Sequence, residues 1–115
     1  KASDNRQMLT ALGRDPLIIK ETRVDAIWGL VNLMDAALES SKIFDVRSLI
    51  LYGEKDQVIR KKPTEQLLSR LPRSAKGQQT VKRYGGGYHM LLRDLEGETV
   101  WWDILKWITP IYSVQ

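Results

Sequence analysis

Residues 49–56 read LILYGEKD, and residues 84–92 read YGGGYHMLL with the only histidine of the chain, His89. The first segment is an apolar run that stops at a glycine and then presents an acid, Asp56, which is typical of a buried strand that reaches the edge of a sheet. The second segment presents an imidazole in the same way. Because successive parallel strands end at the same edge, the two segments predict an α/β fold with an acid and a base side by side.

Strands and helices alternate from residue 45 onward. The sequence predicts strands over Val46–Tyr52 and Gln79–Tyr84, a helix from Pro63 to about Leu71, and a final helix over Gly97–Thr109. This order predicts a parallel pair of strands with a right-handed crossover. Two strands are too few for a parallel sheet with both faces covered. We therefore expect further strands, supplied by residues that precede this segment in a longer parent chain.

The N-terminal third is expected to be helical. Asp4 is placed to cap a short helix over about Asn5–Leu12, with Gly13 as its stop. The longest helix is predicted from about Val24 to Ser40, and its apolar residues cover more than one stripe, so burial on several sides is expected. The four tryptophans are expected mostly in the core, although Trp28 could line a pocket. The predicted inner face of the final helix consists of Val100, Trp101, Ile104, Leu105 and Ile108.

Composition excludes several classes of function. The 115 residues are 43% hydrophobic, enough for a core, and the 18 basic residues exceed the 14 acidic ones by only four. The basic residues are scattered, with the densest run at residues 60–62, so nucleic-acid binding is not expected. The absence of cysteine excludes disulfides and thiolate metal sites and fits a reducing compartment, so we expect a cytoplasmic protein. With one histidine and no carboxylate cluster, no metal site is predicted. No apolar run reaches membrane-spanning length.

Asp56 and His89 are the candidate catalytic residues. They could form the acid and base of a nucleophile–histidine–acid triad. An ordinary loop histidine is the alternative, but Gly85–Gly87 would permit a sharp turn that holds the ring over the edge of the sheet. Glu54 competes with Asp56 as the orienting acid. We favour Asp56 because the three residues before it give the chain room to curl over the edge.

The same segments resemble the C-terminal part of α/β-hydrolase-fold serine hydrolases. The resemblance is strongest to the lysophospholipase and monoacylglycerol-lipase-like family, which is grouped with the proline-iminopeptidase-like serine peptidases. It rests on residues 49–56 and 84–92, on the closing WWDILKWI at 101–108, and on GRDPL at 13–17. The resemblance implies that residues 1–21 are the end of a helical cap and that residues 22–115 are the C-terminal part of the core.

The resemblance implies a carboxylic ester hydrolase that acts on a small acyl ester or lipid. Asp56 would be the triad acid and His89 the general base, and no cofactor would be needed. The partner would be the N-terminal remainder of the same fold, with no nucleic acid and no transmembrane segment, although peripheral contact with lipid is allowed. A peptidase of the same fold is almost equally compatible.

This sequence departs from the family pattern at the nucleophile. None of its serines lies in Gly-x-Ser-x-Gly, and the oxyanion-hole segment is also missing. Residues 60–62, Arg-Lys-Lys, replace the usual short proline-containing stretch after the acid. We therefore expect a fragment of a longer enzyme. The alternatives are a non-catalytic binding or scaffold protein that kept the fold, and a free-standing small domain, which two exposed strand edges would make prone to aggregate.

Overall fold

The computed structural model describes the backbone of residues 1–75 and 77–112, and the side chains of all of these except 75 and 110–112. Two β-strands and four α-helices are described in this range. In chain order the elements are α1 (Arg6–Arg14), α2 (Val24–Ser40), β1 (Ser48–Gly53), α3 (Lys61–Arg70), β2 (Gln79–Tyr84) and α4 (Gly97–Tyr112). Short 3₁₀ turns at Ser41–Ile43, Arg73–Ala75 and Leu91–Arg93 complete the description.

The two strands form a parallel pair, as the sequence predicts. Ser48 lies opposite Gln79 and Gly53 lies opposite Tyr84, so the two strands end at the same level. The chain is therefore an α/β protein, as the sequence predicts. The predicted start of β1 at Val46 is two residues early, because the ladder begins only where β2 offers a partner, with the amide of Ser48 donating to the carbonyl of Gln78 at 3.1 Å.

The N-terminus of α1 differs from the prediction. Asn5, not Asp4, caps the helix, with its side-chain oxygen accepting from the amide of Met8 at 3.0 Å. Asp4 is unavailable for capping because its carboxylate accepts from the distant amide of Leu95 at 2.9 Å. The helix also continues through Gly13 to Arg14, since a glycine weakens a helix without obliging it to end.

Helix α2 begins and ends at the predicted residues, but its predicted burial is wrong for this chain. None of its residues is buried, and Trp28 is 68% exposed. The physical reason is that the other described elements reach only the C-terminal part of the helix, where Ala37 and Leu38 face α3 and β1 across an apolar cavity. The apolar residues on the rest of the helix remain in contact with solvent.

Helix α4 begins at Gly97 as predicted and extends beyond Thr109 to Tyr112. Its inner face is narrower than expected. Val100 is buried and Ile104 and Ile108 are half-buried, whereas Trp101 and Leu105 are exposed. Two strands cover only one stripe of the helix, and the Trp101 indole stays at the surface, where it donates to the carbonyl of Leu92 at 2.9 Å. The expectation that the tryptophans lie mostly in the core is therefore wrong, because only Trp107 is even half-buried.

No helix described by the structure combines the length and the apolar character needed to cross a membrane.

Candidate active site

The loops that follow β1 and β2 are bonded to each other directly. The amide of Glu54 donates to the carbonyl of Tyr84, and the amide of Lys55 donates to the carbonyl of Gly87, both at 2.9 Å. These bonds extend the ladder past the ends of the strands. They bring the loop that carries Asp56 against the loop that carries His89.

Gly53 and Gly87 make this close approach possible. A Cβ atom at Gly53 would lie 2.6 Å from the carbonyl carbon and oxygen of Gly87 and from the carbonyl oxygen of Tyr88. Gly87 is buried, and a Cβ there would overlap the side chain of Leu91. The expected sharp turn is present, with the amide of Gly87 donating to the carbonyl of Tyr84 at 3.0 Å. It needs no left-handed torsion at Gly85–Gly87, since among the described glycines only Gly77 has a positive φ, at 95°. Gly87 is needed because its surroundings leave no room for a side chain.

Replacing Gly53 with alanine should therefore disturb the site. The new Cβ meets backbone atoms, which cannot rotate away, so we expect the free energy of unfolding to fall by about 2–3 kcal/mol. Urea unfolding of the full-length protein measures this. Gly86→Ala is the matched control, because nothing lies within 4 Å of its Cβ position. The close-approach argument fails if Gly53→Ala is as stable as Gly86→Ala.

Asp56 is held in a fixed orientation by its own loop. Its Oδ1 accepts from the amides of Val58 at 2.7 Å and Ile59 at 3.0 Å, which closes a local turn. Its Oδ2 is left to face His89, and the side chain is 7% exposed. The predicted competitor, Glu54, lies 3.7 Å from the amine of Lys61 instead.

The electrostatics favour an ionised Asp56. Burial alone would raise the pKa of this carboxyl, but the hydrogen bonds from His89, Val58 and Ile59 together outweigh it and hold the pKa below its ordinary value. A carboxylate of this kind only accepts hydrogen bonds. The ring nitrogen that faces it must therefore be the one that carries a proton.

The structure brings Asp56 and His89 into hydrogen-bond contact. The Nδ1 atom of His89 lies 2.9 Å from Oδ2 of Asp56, and the histidine side chain is 40% exposed. With the proton on Nδ1, the Nε2 atom is unprotonated in the neutral ring and can accept a proton from another group. The arrangement can thus act as an oriented general base.

An apolar cavity of about 620 Å³ adjoins this pair. It lies between α2, β1 and α3, and its wall includes both Asp56 and His89. Trp28 is not part of the wall, so the structure does not place it at the cavity. The apolar residues of the wall are Met34, Ala37, Leu38, Ile50, Leu51, Ile59, Pro63, Leu67 and Leu91.

The hydroxyl that would complete a triad is not found among the described residues. Six of the seven serines lie in the described range, and none of them hydrogen-bonds to His89 there; Ser113 lies outside the described residues. The described range also contains no cluster of residues suited to hold a metal ion. The described residues bring together one carboxylate and one imidazole, with a cavity beside them.

Two residues that lie beside the histidine loop, Ser3 and Asp94, were not predicted from the sequence. Ser3 and Asp94 are both buried and hydrogen-bond to each other. They are 91 positions apart, and nothing in either local pattern pointed to the other. Only the fold reveals the contact.

A family model described as serine aminopeptidase, S33, matches residues 1–96, a range that contains both Asp56 and His89. No individual curated protein matches the sequence. The match covers well over half of the chain and agrees with the parallel strands and with the order of acid and histidine along the sequence. The chain therefore belongs to the serine aminopeptidase S33 family of α/β-hydrolases, whose members are hydrolases.

Proposed function

We propose that this chain is the C-terminal portion of a serine ester hydrolase of the lysophospholipase or monoacylglycerol lipase type. In this proposal Asp56 is the acid and His89 the base of a Ser-His-Asp triad. The observation that carries the proposal is the 2.9 Å contact between Nδ1 of His89 and Oδ2 of Asp56, beside an apolar cavity. The serine and the oxyanion hole would come from residues outside these 115.

The proposed mechanism assigns one task to each group. Nε2 of His89 takes the proton of the serine hydroxyl as its oxygen attacks the ester carbonyl, and the ring becomes an imidazolium. Asp56 keeps the ring oriented and stabilises its positive charge. The imidazolium then gives the proton to the departing alcohol oxygen, which leaves an acyl-serine. Water then attacks the acyl-serine in the same way: His89 takes a proton from the water and returns it to the serine oxygen, and the carboxylic acid product is released.

The size and the apolar wall of the cavity are the reasons for proposing that it binds an acyl chain. Its volume of about 620 Å³ falls in the range typical of small-molecule sites, and most of its wall is apolar. The wall is built by α2, β1 and α3, so a chain held there would lie directly beside His89. This placement would bring the ester carbonyl toward the base.

A peptidase is the second candidate, and two observations favour it. The matching family model is described as a serine aminopeptidase. Asp35, on α2, also belongs to the wall of the cavity. A carboxylate there could bind the ammonium group of a peptide N-terminus. The same base and acid would serve, with an amine as the leaving group.

We further propose that residues 1–21 end a helical cap and that residues 22–115 belong to the core of the hydrolase fold. The N-terminal remainder of that fold would be the partner that covers the exposed apolar residues of α2. We also retain the cytoplasm as the proposed compartment, on the absence of cysteine.

A substrate panel tests the proposal. The full-length protein is assayed with p-nitrophenyl acetate, octanoate and laurate, and with aminoacyl p-nitroanilides. We expect hydrolysis of the esters, with the longer chains preferred because they fill the cavity. Hydrolysis of the anilides without the esters would reject the esterase in favour of the peptidase.

A variant in the same panel checks where the acyl chain binds. Leu38→Trp fills part of the cavity, so KM for the laurate ester should rise roughly tenfold while KM for the acetate stays unchanged. Asn32→Trp is the control, since Asn32 is on the same helix but is polar, exposed and outside the wall. Equal effects of the two variants on the laurate ester would rule out this binding mode.

A further inference from the structure

The backbone is hydrogen-bonded on both sides of His89. The amide of Tyr88, just before it, donates to Oδ2 of Asp94 at 2.7 Å. The amide of Met90, just after it, donates to the carbonyl of Ala2 at 2.9 Å. The ring therefore projects from a segment whose two neighbouring amides are both bound.

The carboxylate of Asp94 links the histidine loop to the N-terminal segment. Asp94 is 8% exposed, and each of its carboxylate oxygens accepts one hydrogen bond, from the amide of Tyr88 and from the hydroxyl of Ser3. Ser3 is fully buried, and its hydroxyl also accepts from the amide of Asn5 at 3.2 Å. A buried carboxylate whose partners are all donors makes short, strong hydrogen bonds and holds its partners in one geometry.

The rest of the N-terminal segment reinforces this contact. The amide of Leu95 donates to Asp4 at 2.9 Å, and the side-chain amide of Asn5 donates to the carbonyl of Arg93 at 3.1 Å. Residues 2–5 thus run along the whole segment that follows the histidine. They make no hydrogen bond to the side chain of Asp56 or to the imidazole, so we expect any effect on catalysis to pass through the backbone around His89.

We propose that Asp94, anchored by Ser3, is a positioning residue that fixes the backbone of His89 so that Nδ1 stays in contact with Asp56. This rests on the proposed function only for its effect on turnover. The hydrogen bond between His89 and Asp56 is measurable whatever the reaction. Without Asp94 the amide of Tyr88 loses its partner and the ring samples orientations in which Nε2 is misplaced.

The test uses Asp94→Ala and Asp94→Asn in the full-length protein. Asp94→Ala should lower kcat roughly 100-fold, with KM changed by less than about threefold, because the ring is displaced and not the acyl site. It should also abolish the downfield ¹H resonance of the His89 Nδ1–H group, identified by its loss in His89→Ala. Asp94→Asn should recover most of kcat, since its amide oxygen can still accept from Tyr88.

Asp103→Ala is the matched control. Asp103 is also a hydrogen-bonded carboxylate, held by the side chains of Lys82 and Tyr84 between β2 and α4, and it makes no hydrogen bond to the backbone around His89. It should leave kcat and the Nδ1–H resonance unchanged. Equal loss in the Asp94→Ala and Asp103→Ala proteins would overturn the proposal, because it would mean a general loss of stability.

A wild-type kcat and resonance in Asp94→Ala would also overturn it. If Asp94→Ala does not fold, Ser3→Ala decides: we expect a weakened resonance and roughly a tenfold lower kcat, and full retention of both rejects the proposal. Should the His89→Ala protein keep its activity, the proposed function fails instead, while the resonance still tests the positioning by Asp94.

Discussion

Replacing His89 with alanine is expected to lower kcat/KM for ester hydrolysis by a factor of about 10⁴ to 10⁶. The loss is large because the serine would no longer have a group to take its proton, and the leaving alcohol would have no acid. The side chain is 40% exposed and its ring bonds only to Asp56 among the described residues, so the fold should persist. Steady-state hydrolysis of p-nitrophenyl octanoate by the full-length protein measures the effect.

Trp102→Ala provides the control for removal of an exposed ring, here on α4 and away from the site. Circular dichroism should show both variants folded. A His89→Ala protein that hydrolyses the ester within about tenfold of wild type would remove the histidine from the mechanism.

Replacing Asp56 with asparagine is expected to lower kcat by about 10⁴ with the local turn intact. The amide oxygen can take the place of Oδ1 and accept from Val58 and Ile59. The NH₂ group then faces Nδ1 of His89 and donates to it, which moves the ring proton to Nε2. A ring with its proton on Nε2 cannot accept one from the serine.

Glu54→Gln is the matched control, because it neutralises the neighbouring acid that contacts Lys61 and not His89. It should keep kcat within about threefold of wild type. A comparable loss in both variants would mean that general electrostatics, and not the orientation of His89, sets the rate.

Wild type and Asp56→Asn should also differ in how their free energy of unfolding depends on pH. The pKa of Asp56 is lower in the folded protein than its ordinary value, so its ionised form stabilises the fold. That contribution is fully present above the unfolded pKa of about 3.9 and is lost as the pH falls through the lower, folded pKa. The difference in unfolding free energy between wild type and Asp56→Asn should therefore shrink on acidification.

The sequence predicted the parts of the fold that depend on local pattern. The bounds of α2 and β2 were confirmed, and so was the parallel pairing. Proximity of Asp56 and His89 followed because both come directly after strands that end at the same level. Of the two candidate acids, Asp56 hydrogen-bonds to the imidazole and Glu54 pairs with Lys61; the role of Asp56 as the orienting acid stays a prediction.

What the sequence did not predict depends on contacts between distant segments. Asp4 has the right spacing for a cap, but its bond to Leu95 leaves Asn5 to take that role. The need for space at Gly53 arises only when two loops meet. Likewise the buried pair of Ser3 and Asp94 joins opposite ends of the chain, and no local pattern encodes it.

The central claim is that Asp56 and His89 act as one unit, and a double-mutant cycle tests it most directly. We measure kcat for Asp56→Asn, His89→Ala and the double variant in the full-length protein. If Asp56 acts only through the imidazole, the double variant should have the kcat of His89→Ala alone, within about threefold. If the two losses multiply, the residues act independently and the proposed acid–base pair is contradicted.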